Sequence, residues 1–268
     1  MHRPTHTRSP SWSLAALASL MLAGGCSEPG QTEIARGNVL AGRKQFDEAL
    51  EAYRAAARVA PHRARSRELM GHLLFDLGRA SEARAAYEEA VSVEPKAALE
   101  ARIGLARLDS EDRRFDDALN RLREVLDEQP NNLYALLSRA NLAIRRGGPG
   151  DAELAIADTA KAMTIDPKSA AVLYARGASF LAGRQLEEAA EAFGLLVKAH
   201  PDLPLAWYGQ ARLAAAHGDR ERALSNLRVT RGKANRGPGG WHPSEILSDP
   251  SFRFLKNDPQ FVAIVSSP

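Results

Sequence analysis

The stretch ARSRELMGHLLFDLGRASEARAAYEEAVSVEPKA, residues 64–97, decides how this chain folds. Small residues recur in it at Gly71, Gly78, Ala83 and Ala90, an aromatic stands at Tyr87, and Pro95 closes it. Read outward, the pattern returns. Pro61, Pro95, Pro130, Pro167 and Pro201 lie 34, 35, 37 and 34 residues apart. Each follows an alanine by twelve residues: Ala49, Ala83, Ala118, Ala155 and Ala189. A period near 34 marks a stack of helical hairpins, none of which buries its own apolar face alone. Composition agrees, with 44% hydrophobic but only 6% aromatic residues. No alternation of Val, Ile and Thr suggests a sheet.

Five full copies and a sixth partial one run over roughly residues 30 to 235. The first carries Gly37, Phe46, Ala49, Tyr53, Ala56 and Pro61; the fifth carries Gly177, Phe180, Ala189, Phe193 and Pro201. The fourth holds about three extra residues near Gly147–Gly150, and the sixth has Trp207, Ala211, Gly218, Ala223 and Leu227 without a closing proline. This pattern resembles the tetratricopeptide repeat, with small residues at positions 8, 20 and 27, an aromatic at 24 and proline at 32. The resemblance implies an all-α, right-handed solenoid of about six hairpins over residues 32–231, followed by a Gly/Pro-rich loop and capping helices over 232–268. Proline suits the boundary because it lacks an N–H and clashes inside a helix.

The first residues obey other rules. Arg3 and Arg8 precede an apolar run from Leu14 to Ala23, too short to span a bilayer as a mature helix. The sole cysteine comes after small residues in Leu22-Ala23-Gly24-Gly25-Cys26. That arrangement resembles a bacterial lipobox. It implies a signal peptide over 1–25, a lipidated Cys26 and a short tether over 26–31. An ordinary cleaved signal and an uncleaved anchor are the other readings. Three acyl chains would hold a protein on a membrane, since two already anchor stably. With Ser27 after the cysteine, the resemblance points to an outer membrane facing the periplasm. One cysteine allows no internal disulfide and no thiolate metal cluster. Loss of Arg3 and Arg8 with the signal would lower the net charge from +3 to +1.

Two Asp-Pro-x-Phe units, Asp249–Phe252 and Asp258–Phe261, lie nine residues apart near the end of the chain. Asp suits a helix N-cap and Pro the first helical position. Phe252, Leu255, Phe261, Ile264 and Val265 then fall on apolar faces. The segment reads as a cap over the last hairpin, or else as a docking element.

Reactive motifs are missing. No His-Glu-x-x-His, Gly-x-Ser-x-Gly or Gly-Lys-Ser/Thr phosphate loop occurs. Basic runs with interleaved aromatics are absent, which argues against nucleic acid. No enzyme activity, cofactor, metal or small-molecule substrate is expected. The family resemblance places a protein- or peptide-binding groove on the first helix of each hairpin. Its positions here are Arg65, Glu68, His72 and Phe75, then Arg107, then Tyr134, Asn141 and Arg145, then Tyr174, Tyr208 and Arg212. Tyr and Arg are favoured interface anchors, although tyrosines at such positions also pack between repeats. The resulting expectation is a membrane-anchored scaffold in cell-envelope assembly, such as a pilus or secretin complex. The alternative is a regulatory or recruiting subunit of a cell-wall or polysaccharide enzyme system.

Overall fold

Residues 28–61, 63–234 and 243–266 are described by a computed structural model, and among them the only regular structure is helical. Six hairpins pair α1 (Gln31–Gly42) with α2 (Phe46–Val59), α3 (Arg65–Asp76) with α4 (Ala80–Val93), α5 (Leu99–Glu111) with α6 (Phe115–Glu128), α7 (Leu133–Arg146) with α8 (Asp151–Ile165), α9 (Ala170–Ala182) with α10 (Leu186–Ala199), and α11 (Pro204–Ala216) with α12 (Arg220–Ala234). Then come α13 (Pro243–Ser248), a 3-10 turn (Pro250–Leu255) and α14 (Pro259–Ser266). The chain parts between Ser138 and Arg139 into two compact units. The signal peptide, Cys26, His62 and most of the Gly/Pro-rich loop lie outside the described residues.

The proline rhythm has a local cause. Each of the five prolines stands two residues beyond the second helix of its hairpin. The residue before it is pushed out of the helical region: Ala60, Glu94, Gln129, Asp166 and His200 have φ between −125 and −142° and ψ between 61 and 84°. The clash between the proline ring and its predecessor disfavours helical backbone there. The twelfth helix has no such stop and runs to Ala234, three residues beyond the boundary read from the sequence at Arg231. At the other end α1 begins at Gln31, inside the segment assigned to the tether.

The turn inside a hairpin has its own rule. Backbone N–H groups of Gln45, Arg79, Arg114, Gln185 and Asp219 donate to Leu40, Leu74, Asp109, Phe180 and Ala214 at 2.8–2.9 Å. This is the six-to-one bond that closes a helix through one left-handed residue. That residue is Lys44, Gly78, Arg113, Arg184 or Gly218, with φ of 57–74°. Glycine adopts this backbone freely, whereas Lys44, Arg113 and Arg184 hold it against side-chain crowding. The fourth hairpin departs from the rule: Gly147 to Gly150 join α7 to α8, and Asp151 closes the link by accepting from Gly148 N at 2.7 Å and from Arg146 Nε at 2.9 Å.

Close packing is set by glycine and alanine. The alanines at the repeating position, Ala49, Ala83, Ala118, Ala155, Ala189 and Ala223, are all completely buried. The Tyr87 ring is clamped between Gly71 of its own hairpin and Gly104 of the next. A Cβ at either glycine would lie 2.4 Å from a ring carbon. In the other unit Phe193 is clamped in the same way between Gly177 and Gly209, with Cβ approaches of 2.5 and 2.4 Å. Gly71→Ala is therefore expected to destabilise the protein by about 1–3 kcal/mol through overpacking, despite alanine's better helix propensity. Urea unfolding monitored by circular dichroism measures this; an unchanged midpoint would show that the ring can retreat.

Candidate functional site

The groove positions expected from the sequence fall into two groups, one in each unit. In residues 28–138 they form a polar face on the first helices. Glu68 on α3 is buried, and its Oε1 accepts from Ala101 N at 3.3 Å near the start of α5. Arg65 lies 3.6 Å from its other oxygen. One turn on, His72 Nδ1 meets the Tyr87 hydroxyl at 3.0 Å, with the rings edge to face at 5.4 Å. His72 Nε2 stands 3.8 Å from Glu100 Oε2. Beyond it, the Arg107 guanidinium lies 4.2 Å over the Phe75 ring and donates to the Tyr134 hydroxyl at 3.0 Å. Glu28, Arg63, Arg65, Glu68, Glu94 and Glu100 also line a cleft of about 450 Å³.

Burial rather than any one partner dominates the electrostatics. It raises the pKa of Glu68 and of Glu100, and Arg65 only partly offsets this. Burial also pushes the Tyr134 hydroxyl up. His72 is driven down to about 4 by burial, then by the positive charges of Arg107 and Arg65. Its imidazole is therefore neutral at neutral pH, and its approach to Glu100 is not an ion pair there.

In the unit beginning at Arg139, the groove residues near the end of the chain close on the C-terminal segment. Tyr174 on α9 stacks on Tyr208 of α11, with centroids 6.4 Å apart and planes 18° from parallel. Arg212 donates to the Tyr174 hydroxyl at 3.0 Å and lies 3.3 Å from Asp249 Oδ2. The Tyr208 hydroxyl donates to the same carboxylate oxygen. Asp249 Oδ1 meanwhile accepts from Ser251 N at 2.8 Å, capping the 3-10 turn. Burial above all, then Tyr174 and Asp249, holds the Tyr208 phenol protonated. Burial opposes the charge of Arg212, but Tyr174, Asp249 and Tyr208 outweigh it and raise its pKa. The second Asp-Pro-x-Phe unit repeats the device: Asp258 accepts from Gln260 N at 2.8 Å and from Arg220 Nε at 2.5 Å.

Phe252, Leu255, Phe261, Ile264 and Val265 are buried with Ala211, Leu224 and Leu227 of the last hairpin. Tyr208 is thus a buried anchor of this segment, and Tyr174 and Arg212 serve the same network. Asn141 and Arg145 are exposed on α7. The repeat pattern marks Glu100 as a groove position but does not mark Tyr87 or Asp249 as members of these faces. Tyr87 reads as core by its position, yet its hydroxyl emerges beside His72. Asp249 lies 41 residues from Tyr208, and no local pattern links them.

Among the described residues no group of His, Cys, Asp and Glu is arranged to hold a metal, and no helix is long and apolar enough to cross a membrane. Tetratricopeptide repeat models match residues 34–101, 74–142 and 174–235. No curated protein matches the chain. Solved structures resemble it at low identity. A tetratricopeptide repeat protein from Parabacteroides merdae is 21% identical, with 77% of this chain and 80% of that one covered and a TM-score of 0.60. The pilF protein of Pseudomonas aeruginosa is 16% identical over 74% and 88%, with a TM-score of 0.60. PilW, a widely conserved type IV pilus biogenesis factor, is 13% identical over 80% and 97%, with a TM-score of 0.66.

The depressed His72 pKa has a measurable consequence. In the unfolded chain the imidazole titrates near 6.5, and in the folded protein near 4. Between those values the unfolded state binds more protons, so stability falls as pH drops through that window. The raised carboxylates Glu68 and Glu100 act in the opposite sense above pH 4.5, where the folded state holds more protons. His72→Gln is expected to remove the imidazole's share of the acid destabilisation, up to roughly 3 kcal/mol at pH 4. Urea midpoints of both proteins from pH 7 to 4 test this, and parallel curves would refute it.

Proposed function

The chain belongs to the tetratricopeptide repeat family, and from that premise we propose that it is a non-catalytic, membrane-anchored scaffold that binds partner proteins during cell-envelope assembly. The observation that carries this reading is the face on α3, α5 and the start of α7. Arg65, His72, Phe75, Arg107 and Tyr134 are exposed or half-buried there. They combine charge, aromatic area and hydrogen-bonding capacity on rigid helices, which is the composition of interface anchors. Proteins of this family are generally binding scaffolds. In the other unit Asn141, Arg145 and the set Tyr174, Tyr208 and Arg212 are proposed as further partner-binding positions. For the last three the role includes holding the C-terminal cap.

The envelope setting rests on the N-terminal sequence. Residues 1–25 are proposed as a lipoprotein signal, Cys26 as the lipidated residue, 26–31 as the tether, 32–231 as the repeat region and 232–268 as loop and cap. Lipidation would place the repeats at a bacterial membrane, with the outer membrane facing the periplasm as the proposed site. The architectural likeness to PilW is consistent with a pilus or secretin assembly role, and at 13% identity it contributes no more than architecture.

Two measurements test the reading. Crosslinking in envelope fractions and affinity capture are expected to recover partners with the wild-type chain. The Phe75→Ala/Tyr134→Ala variant should lose them by roughly thirty-fold, about 2 kcal/mol for lost anchors, while keeping its helical circular dichroism. Unchanged capture would rule out this face. Separately, cells fed labelled palmitate should label the wild-type protein and leave Cys26→Ser unlabelled; label on the serine variant would end the lipoprotein assignment.

A further inference from the structure

Hairpins two and three are built like hairpins five and six. Each pair clamps an aromatic ring between two glycines: Tyr87 between Gly71 and Gly104, Phe193 between Gly177 and Gly209. Three residues after the second glycine, on the same helix, stands an arginine, Arg107 or Arg212. In both cases one terminal nitrogen of that arginine donates to a tyrosine hydroxyl at 3.0 Å, Tyr134 or Tyr174.

The two arginines differ in their counter-ion. Arg212 has Asp249, whose carboxylate is also held by the Tyr208 hydroxyl and the Ser251 amide. Arg107 forms no ion pair with a carboxylate among the described residues. It lies on the Phe75 ring and donates to a phenol that burial keeps protonated. The imidazole beside it, His72, is neutral as well. Glu100 is seven residues back on the same helix, about 10 Å along its axis. A guanidinium has five donors in a planar fork. Tyr134 takes one, and the edge formed by Nε and the second Nη has no acceptor among the described residues. Asp76 and Glu100 stand near enough to act on the Tyr134 hydroxyl, yet neither forms an ion pair with the guanidinium, and a carboxylate matches that free edge with two parallel hydrogen bonds.

We propose that Arg107, flanked by Tyr134 and Phe75, anchors a carboxylate side chain of an extended partner segment, in the chemistry by which the chain's own Asp249 segment sits on Arg212. This rests on the reading that the α3–α5 face binds partners, and it adds the class of ligand: a segment with an aspartate or glutamate at the anchoring position. The internal copy supplies the precedent. There a carboxylate on the position-equivalent arginine precedes a proline and a buried phenylalanine, Phe252.

The probe is the fluorescein-labelled pentapeptide Ser-Asp-Pro-Ser-Phe-amide, the sequence of residues 248–252, with its Asp→Asn counterpart as control. Both are titrated against the full chain by fluorescence polarisation. The aspartate peptide is expected to bind saturably, about tenfold tighter than the asparagine peptide. Arg107→Gln should abolish that difference, and Arg107→Lys, which keeps charge but not the fork, should recover only part of it. Equal binding of the two peptides, no saturable binding, or full binding to Arg107→Gln would each overturn the proposal. The peptide comparison on the wild-type chain stands even if a variant folds poorly. Envelope capture separates this inference from the broader reading. If Arg107→Gln loses cellular partners but excess aspartate peptide does not compete them away, the face binds partners through other chemistry and only the carboxylate proposal falls. If capture is unaffected by Phe75→Ala/Tyr134→Ala, the broader reading falls, whatever the peptide does.

Discussion

The clamp of one aromatic ring between two glycines governs the geometry of each unit. Without Cβ atoms at Gly71 and Gly104, α3 and α5 both come directly against the Tyr87 ring. Protein interiors transmit such constraints because they are close-packed and cannot deform continuously. Neither of these first helices can carry a side chain where it meets the ring. The clamped ring also reaches the groove face chemically. Tyr53 donates to Asn38 at 2.8 Å, and the Tyr87 hydroxyl meets His72, so two core phenols end in hydrogen bonds at groove positions. Phe193 has no hydroxyl to send outward, and Tyr174, tilted against it at 5.9 Å, carries the phenol there instead.

The C-terminal segment shows how the last hairpin avoids leaving an apolar end in water. Repeat arrays require an atypical terminal element for that reason. Burial of Phe252 and Phe261 provides the apolar part, but burial alone does not select a register. The two aspartates do. Asp249 and Asp258 each use one oxygen to cap their own turn and the other to bind an arginine of the last hairpin, Arg212 or Arg220. A shift by one residue would break both functions of each carboxylate together and leave a buried guanidinium unpaired, a state that costs several kcal/mol. The pairs thus contribute specificity of docking even where their net stabilisation is small.

Much of this was legible in the sequence, and the legible part has a common cause. Prolines, alanines and clamped aromatics repeat because one packing problem recurs every 34 or so residues, and each solution demands a particular residue type. Pro61, Ala83 and Tyr87 could be placed without coordinates for that reason. The turn residues could be placed only in part. Gly78 and Gly218 announce a left-handed backbone, whereas Lys44, Arg113 and Arg184 occupy it without any mark in their chemistry. The side chains of the groove face were located by position in the repeat, but not their partners. Nothing local says that Arg107 would spend a donor on Tyr134, or that Tyr208 would meet an aspartate 41 residues away. Such pairings depend on which hairpin succeeds which, and a periodic signal is blind to that order.

The same blindness explains why equal positions take unequal roles. The repeat offers an arginine at equivalent places on α5 and α11, and the clamp beneath each is the same. The elements that come next in the chain differ. After α11 and α12 comes a segment with an aspartate, which neutralises Arg212 and converts its face into a support for the cap. After α5 and α6 comes another hairpin, whose first helix brings Tyr134, a neutral acceptor, to Arg107. One architecture therefore yields an arginine ion-paired within a closed polar network at the end of the chain and, nearer its start, an arginine that hydrogen-bonds a phenol instead. The difference between the two polar environments above near-identical clamps lies in the residue supplied by the next element, a carboxylate for Arg212 and a phenol for Arg107.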